Sequence, residues 1–326
     1  MDYDLEFEKP LAELAGNIST LQQGSNDMKH QEQIQEALDT LHERTREVYA
    51  HLTSWQTVQV ARHKDRPYAA DYIHLMCNDF LELHGDRSFS DDHAIVAGLA
   101  HLADQPVMFV TQQKGRGVKE KQFHNFGMPH PEGYRKAYRL MVQAEKFNFP
   151  LVCLIDTPGA FPGLEDEERG QSQAIAANLF LMSRLRVPII SVVIGEGGSG
   201  GALALSVCDR LLMLEHSVYT VAAPEAAASI LWRDASFAPQ AAEAMRISAR
   251  ELADTHIFDE FIPEPLGGAH RNHCLAAGYL KTALLKHLAD LKQFSHAELI
   301  EKRYQKFRVI GNFAKGETKG GNAAAP

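Results

Sequence analysis

The chain has 326 residues, 45% of them hydrophobic, and a formal net charge of −9 from 33 Lys and Arg against 42 Asp and Glu. That length exceeds one average domain and supports a large core, while the acidic balance argues against nucleic acid or a membrane surface as the main partner, because both are anionic. The four cysteines, Cys77, Cys153, Cys208 and Cys274, lie far apart without metal-finger or redox spacing and read as small core residues of a reducing compartment.

The first ten residues, MDYDLEFEKP, are acidic where a secretory leader would be basic and then apolar, and no apolar run approaches the length of about 18 residues that spans a membrane. A cytoplasmic location is therefore expected. Leu11, Leu14, Ile18 and Leu21 recur at steps of three and four after Pro10, which predicts a helix broken at Gly24, Ser25 and Asn26. Ile34, Leu38, Leu41, Thr45, Val48, Leu52 and Trp55 mark a narrow apolar seam on a second, charged helix. Together they predict an antiparallel helical arm over residues 1–62. It is too small to bury much alone, so it should pack on the main body or a partner subunit; a solvated helix pair is the alternative.

From Tyr72 onward, strand and helix patterns alternate. Residues 95–102 and 107–112 predict a strand pair turning at Ala103 to Pro106, followed by a helix over 132–148. PLVCLIDTPGAFPG, residues 150–163, reads as a buried strand running into Asp156, Thr157, Pro158, Gly159 and Ala160, with a helix over 168–184 after it. VVIGEGGSGGALAL, residues 192–205, is an apolar run that stops in Gly195, Gly197, Gly198, Gly200 and Gly201 and restarts as a helix. Strands over 210–214 and 218–222, a helix opened by Pro224 and Glu225, a helix over 239–253 and a last long helix over 272–294 complete the pattern. A main domain over 63–312 follows, and the tail 313–326, ending KGETKGGNAAAP, is expected to be disordered.

A strand that turns through glycines into a helix leaves bare backbone N–H groups where a negative oxygen can sit, because the first amides of a helix have no internal partner. A glycine-rich turn that merely lets strand and helix pack closely is the other reading. No Gly-Lys-Ser/Thr follows, and no acidic residue ends a second strand at dinucleotide-fold spacing, so neither nucleotide motif fits. Two successive parallel strands put both glycine loops at the carboxyl edge of one sheet, where two N–H donors can share one oxyanion.

Several motifs in one order carry a resemblance. DTPGAFPG, ERGQS (168–172), GEGGSGGALA, PEAAASILW (224–232) and IPEPLGGAHRN (262–272), with QKGR (113–116) and NFGMPHPEGYRKA (125–137), resemble the alpha-subunit family of the bacterial acetyl-coenzyme A carboxylase carboxyltransferase. The likeness runs from the amino-terminal helices to about Tyr304, although Ala223 and Ala226 stand where the family has Ser and Gly. It implies an α/β, crotonase-like fold, the ββα spiral of the ClpP/crotonase class. It implies transfer of a carboxyl group from carboxybiotin on a carrier protein to acetyl-coenzyme A, giving malonyl-coenzyme A for fatty acid biosynthesis, with ATP used only by a partner biotin carboxylase. The implied partners are a zinc-ribbon beta subunit in an α2β2 assembly, the biotin carboxyl carrier protein and the biotin carboxylase. No metal is implied on this chain, which has no Cys-x-x-Cys.

The resemblance assigns the catalytic N–H groups to Gly200 and Gly201, backed by the dipole of the helix starting near Ala202, and places Gly159, Ala160, Gly197 and Gly198 in the binding loops. Because carboxybiotin chemistry needs no side-chain base, Gly201→Val is expected to cut transfer while leaving the fold largely intact. Glu225 reads as a helix-opening residue, or as the acid–base group of a stand-alone crotonase-type hydratase, isomerase or thioesterase. Lys114, Arg116, Lys119 and Lys121 read as phosphate contacts or as a solvated charged loop. Asp156 and Glu196 are expected to brace the glycine loops, and Ser199 lacks a His partner that would make it a nucleophile. The 16 histidines show no metal spacing.

Overall fold

The computed structural model describes residues 3–23 and 28–311. Its centre is one eight-stranded sheet of β1 (Cys77–Glu82), β2 (Ile95–Leu102), β3 (Gln105–Gln112), β4 (Leu151–Thr157), β5 (Ile189–Gly198), β6 (Arg210–Leu214), β7 (Val218–Thr220) and β8 (Glu260–Ile262). The order is β1-β2-β3-β4-β5-β6-β8, with β7 pairing the end of β5. The first three strands form an antiparallel meander, and every pairing from β3 onward is parallel.

Side chains two apart on a strand share a face, and here both faces are covered. Phe109, Val152, Leu154, Ile190 and Val192 bury against Tyr72 of α4 (Ala69–Met76) and Leu280 and Leu284 of α13 (His273–Leu291). Val110, Cys153, Ile155, Ile189 and Val193 bury against Ala137, Leu140 and Met141 of α6 (Pro131–Phe147) and Met182 of α8 (Gln171–Met182). That two-sided burial explains why the central strands read as near-continuous apolar runs.

Several expected elements divide differently. The helix expected over 168–184 is α7 (Leu164–Glu168) and α8, separated by Gly170 at φ 83°. The helix expected over 239–253 is α11 (Ala238–Met245) and α12 (Ala249–Leu252), broken at left-handed Arg246. The strand expected to reach Ala222 stops at Thr220, and α10 (Pro224–Trp232) follows. In the arm, α1 (Lys9–Gln22) and α2 (Met28–Ala50) pack through Leu11, Ile18, Leu41 and Tyr49. Leu52 and Trp55 lie beyond the end of α2; Thr53 and Gln56 form a capping box that starts α3 (Ser54–Ala61) there. Val58 and Ala61 of α3 pack on Val218, Ala242 and Ile247 of the main body. The expected break at Gly24, Ser25 and Asn26 and the tail 313–326 lie outside the described residues.

The sequence patterns did not separate out α3, α4, β1, β8, α5 (Gly117–Phe123) or α14 (His296–Arg308). Cys153 and Cys208 are buried, but Cys274 is exposed, which corrects its reading as a core residue. No helix among the described residues is long and apolar enough to cross a membrane.

Candidate active site

β4 and β5 are parallel neighbours, paired from Leu151↔Ile189 to Thr157↔Gly197, so the loops that leave them emerge at the same edge. Their backbones touch. A Cβ at Gly198 would stand 2.2 Å from the Pro158 carbonyl oxygen, and one at Gly201 would stand 2.6 Å from both the Ala160 nitrogen and the Gly159 carbonyl carbon. Only glycine permits that approach. Ser199, at φ 54°, turns the chain sharply from β5 into α9 (Ser199–Leu203), whose opening amides on Ser199, Gly200 and Gly201 have no carbonyl partner within the helix. Ser199 is exposed, Gly200 half-buried and Gly201 buried.

Five of the six predicted site residues, Gly159, Ala160, Gly198, Gly200 and Gly201, therefore converge where the two loops meet. Gly197 does not face that junction: it belongs to β5, and a Cβ there would sit 2.5 Å from Cδ2 of Tyr219. Gly195 is likewise a strand residue, its missing Cβ leaving room for the Asp156 carboxylate. The expectation that Gly201→Val spares the fold is overturned, because valine would collide with backbone rather than with a side chain that can move.

Behind the loops runs a chain of alternating charges. Lys114 Nζ lies 2.7 Å from both Asp156 Oδ1 and Glu196 Oε2; Arg62 Nε lies 2.7 Å from Glu196 Oε1, and Arg62 Nη1 2.5 Å from Glu225 Oε1. Burial opposes the Glu196 carboxylate, but Lys114 and Arg62 outweigh it and hold its pKa down to about 2. Burial also works against the Lys114 ammonium, yet Asp156 and Glu196 push its pKa well above the usual lysine range. Asp156 Oδ1 accepts the Glu196 N–H at 2.9 Å, the bracing contact expected of it. A cavity of about 220 Å³ opens beside this network, lined by Arg62, Tyr68, Lys114, Lys121, Phe126 and Pro158 among others.

This arrangement reassigns several candidates. Lys114 is held by Asp156 and Glu196 instead of standing in a solvated loop, and Arg116 is drawn inward by Asp71 at 2.7 Å and by the Tyr68 ring. Lys119 and Lys121 remain exposed. Glu225 opens α10 as expected, and its carboxylate is engaged by Arg62. His130, Glu132 and Asp166 bring possible metal-ligand atoms within 4.8 Å of one another, but Arg135 and Arg169 already pair with Glu132, and Arg169 with Asp166.

The protein-family model described as acetyl co-enzyme A carboxylase carboxyltransferase-like matches residues 4–311. The chain belongs to this family. It is 53% identical over 314 residues to the acetyl-coenzyme A carboxylase carboxyl transferase subunit alpha of Geobacter metallireducens, covering 96% of this chain and 99% of that one. It is 52% identical over 309 residues to the subunit of that name from Pseudomonas fluorescens, covering 94% and 98%. Among solved structures, transcarboxylase 12S superposes with a TM-score of 0.58 at 18% identity, over 80% of this chain and 45% of that one. The Pseudomonas malonate decarboxylase hetero-tetramer in complex with coenzyme A gives 0.55 at 19%, over 72% and 90%. These distant likenesses establish the crotonase-like fold of the carboxyltransferase family.

Two site residues escaped the sequence reading. Arg62 had no local signal, since its partner Glu196 is 134 positions away. Gln112 donates from Nε2 to the Gly201 carbonyl at 2.7 Å. Its only trace was a pair of amide side chains closing an otherwise apolar strand.

Proposed function

We propose that this chain is the alpha subunit of a biotin-dependent carboxyltransferase that moves a carboxyl group from carboxybiotin, held on a carrier protein, to acetyl-coenzyme A, giving malonyl-coenzyme A. The observation that carries this reading is the junction of Gly159–Ala160 with Gly200–Gly201, set in a chain of this family. Carboxybiotin supplies the carboxyl group. The chain supplies directed amides: Gly200 and Gly201 at the opening of α9 face the oxygen on which negative charge grows, and Gly159 and Ala160 form the opposing wall. A lost donor of this kind costs about 3 to 4 kcal/mol of transition-state stabilisation. The donor set suits an oxyanion, because the opening residues of α9 offer backbone N–H groups, which can only donate.

The stand-alone hydratase, isomerase or thioesterase reading needs Glu225 as a mobile acid or base, and its pairing to Arg62 speaks against that. The partner reading is supported by large apolar side chains left in solvent on and beside α10: Val221 at 81%, Ile230 at 77% and Leu231 at 64% exposure. We assign that face to the beta subunit of an α2β2 assembly, which works with the carrier protein and biotin carboxylase. The division into an arm, 1–62, and a carboxyltransferase domain, 63–312, belongs to the same proposal.

The test is malonyl-coenzyme A formation from acetyl-coenzyme A and carboxybiotin by this chain alone and mixed with its cognate beta subunit. Activity confined to the mixture is the expected result. Turnover of an acyl thioester by this chain alone would overturn it.

A further inference from the structure

Two polar side chains at the end of β3 reach both glycine loops, and the transfer chemistry uses neither. Lys114 Nζ donates to Asp156 Oδ1 and to Glu196 Oε2, both at 2.7 Å. Asp156 stands just ahead of the Thr157–Ala160 turn, and Glu196 stands two residues before Gly198. One ammonium from just beyond β3 thus ties the carboxyl ends of β4 and β5, the strands that deliver the two loops. Gln112 adds a second tie, its Nε2 donating to the carbonyl of Gly201 at 2.7 Å.

Neighbouring glycines clear the path for this bridge. A Cβ at Gly127 would stand 2.6 Å from Cγ of Lys114, and one at Gly195 2.5 Å from Oδ1 of Asp156. The lysine side chain is 14% exposed and the two carboxylates 2% and 10%, so the three charges meet largely out of water. Without the cation, two buried carboxylates would face each other across the gap that sets the spacing of the loops. Hydrogen bonds weaken steeply as distance and angle drift, so a change in that spacing falls directly on the amides of Gly200 and Gly201.

We propose that Lys114, assisted by Gln112, is a positioning residue of carboxyl transfer, holding the Gly159–Ala160 wall at the separation from Gly200 and Gly201 at which the amides of those two residues share one oxygen. This rests on the carboxyltransferase reading above. A tie that served only the fold would change stability and leave turnover by the folded enzyme alone. A positioning tie changes kcat.

The experiment uses the assembled enzyme, with this chain and its beta subunit purified together and assembly checked by size exclusion. Lys114→Met keeps the length of the stem and removes the charge. It is expected to lower kcat about a hundredfold, the scale of a misplacement of roughly 1 Å, with KM for acetyl-coenzyme A within about twofold of wild type. Lys114→Met/Glu196→Gln, in which the new amide donates to Asp156 and still accepts from Arg62, should regain about tenfold.

Wild-type kcat in Lys114→Met, or a loss that the second substitution does not relieve, would overturn the proposal. Should Lys114→Met fail to assemble, Gln112→Leu decides: a roughly tenfold fall in kcat at constant KM supports positioning, and unchanged kcat overturns it. An inactive wild-type mixture would instead bring down the carboxyltransferase reading, and this inference with it.

Discussion

Adjacent glycines in α9 do different work, and substitution separates them. Gly201→Ala places a methyl group 2.6 Å from the Ala160 nitrogen, so the loops must part. Overpacking of this kind costs about 1–3 kcal/mol. Gly200→Ala meets nothing nearer than Cδ1 of Ile175 at 3.8 Å, an ordinary contact. Thermal unfolding should show Gly201→Ala melting several degrees lower and Gly200→Ala unchanged or slightly higher, since alanine favours a helix over glycine by up to about 1 kcal/mol; equal melting temperatures would contradict the close approach. Glu225→Gln should keep kcat within about threefold, whereas loss of a true acid or base costs about a hundredfold or more. The glycine loops were legible because a strand, a turn and a helix follow one another directly in the chain. The fates of Lys114 and Arg116 were not, because their partners lie 42 and 45 positions away (156 − 114 and 116 − 71).

Single side chains also decide whether whole elements stay attached. α14 is held by Arg303, 1% exposed, which donates to the carbonyls of Met182, Leu185 and Val187 and to both oxygens of Asp209. Arg303→Met keeps the apolar stem but strips the buried Asp209 of its cation, and loss of one partner of such a pair costs about 3–5 kcal/mol. Urea unfolding should show that loss; an unchanged midpoint would mean α14 is held by its apolar contacts alone. Elements of this kind explain what the pattern missed. The central strands announced themselves through unbroken apolar runs, while β8 is three residues long and α14 is rich in charge, with Glu298, Glu301, Lys302, Arg303, Lys306 and Arg308. Short edge strands and polar helices take their place from distant partners, and periodicity carries no record of those.

At the scale of the molecule, acid should act in two stages. His63 and His270 stack with ring centroids 3.9 Å apart, and among the described residues His63 Nε2 and both His270 nitrogens are buried without a hydrogen-bond partner. Burial depresses both pKa values, that of His270 to about 2, so in the folded chain these rings stay neutral where unfolded ones take up protons below the ordinary value of 6.5. The unfolded state then binds more protons, and stability falls as pH drops below about 6.5. Glu196 and Glu264 are held down to about 2 against an ordinary 4.5, so what they contribute is full above pH 4.5 and is lost as pH falls from there towards 2. Melting temperature against pH should show both limbs. His270→Gln should flatten the upper one by about 1.4 kcal/mol per pH unit, and an unaltered slope would place its origin elsewhere.

From β1 to β6 every strand lies beside its predecessor in the chain, so each finds its neighbour already made. The amino-terminal segment has no such convenience. Glu8 waits for Arg271, 263 residues later, and Arg66 for Glu264, 198 residues later. During synthesis on the ribosome the sheet and both glycine loops can form while these two side chains are still unmatched, and closing so long a loop is slow. Docking of this segment is then a late step, because it waits on side chains of the carboxyl-terminal part of the sheet domain.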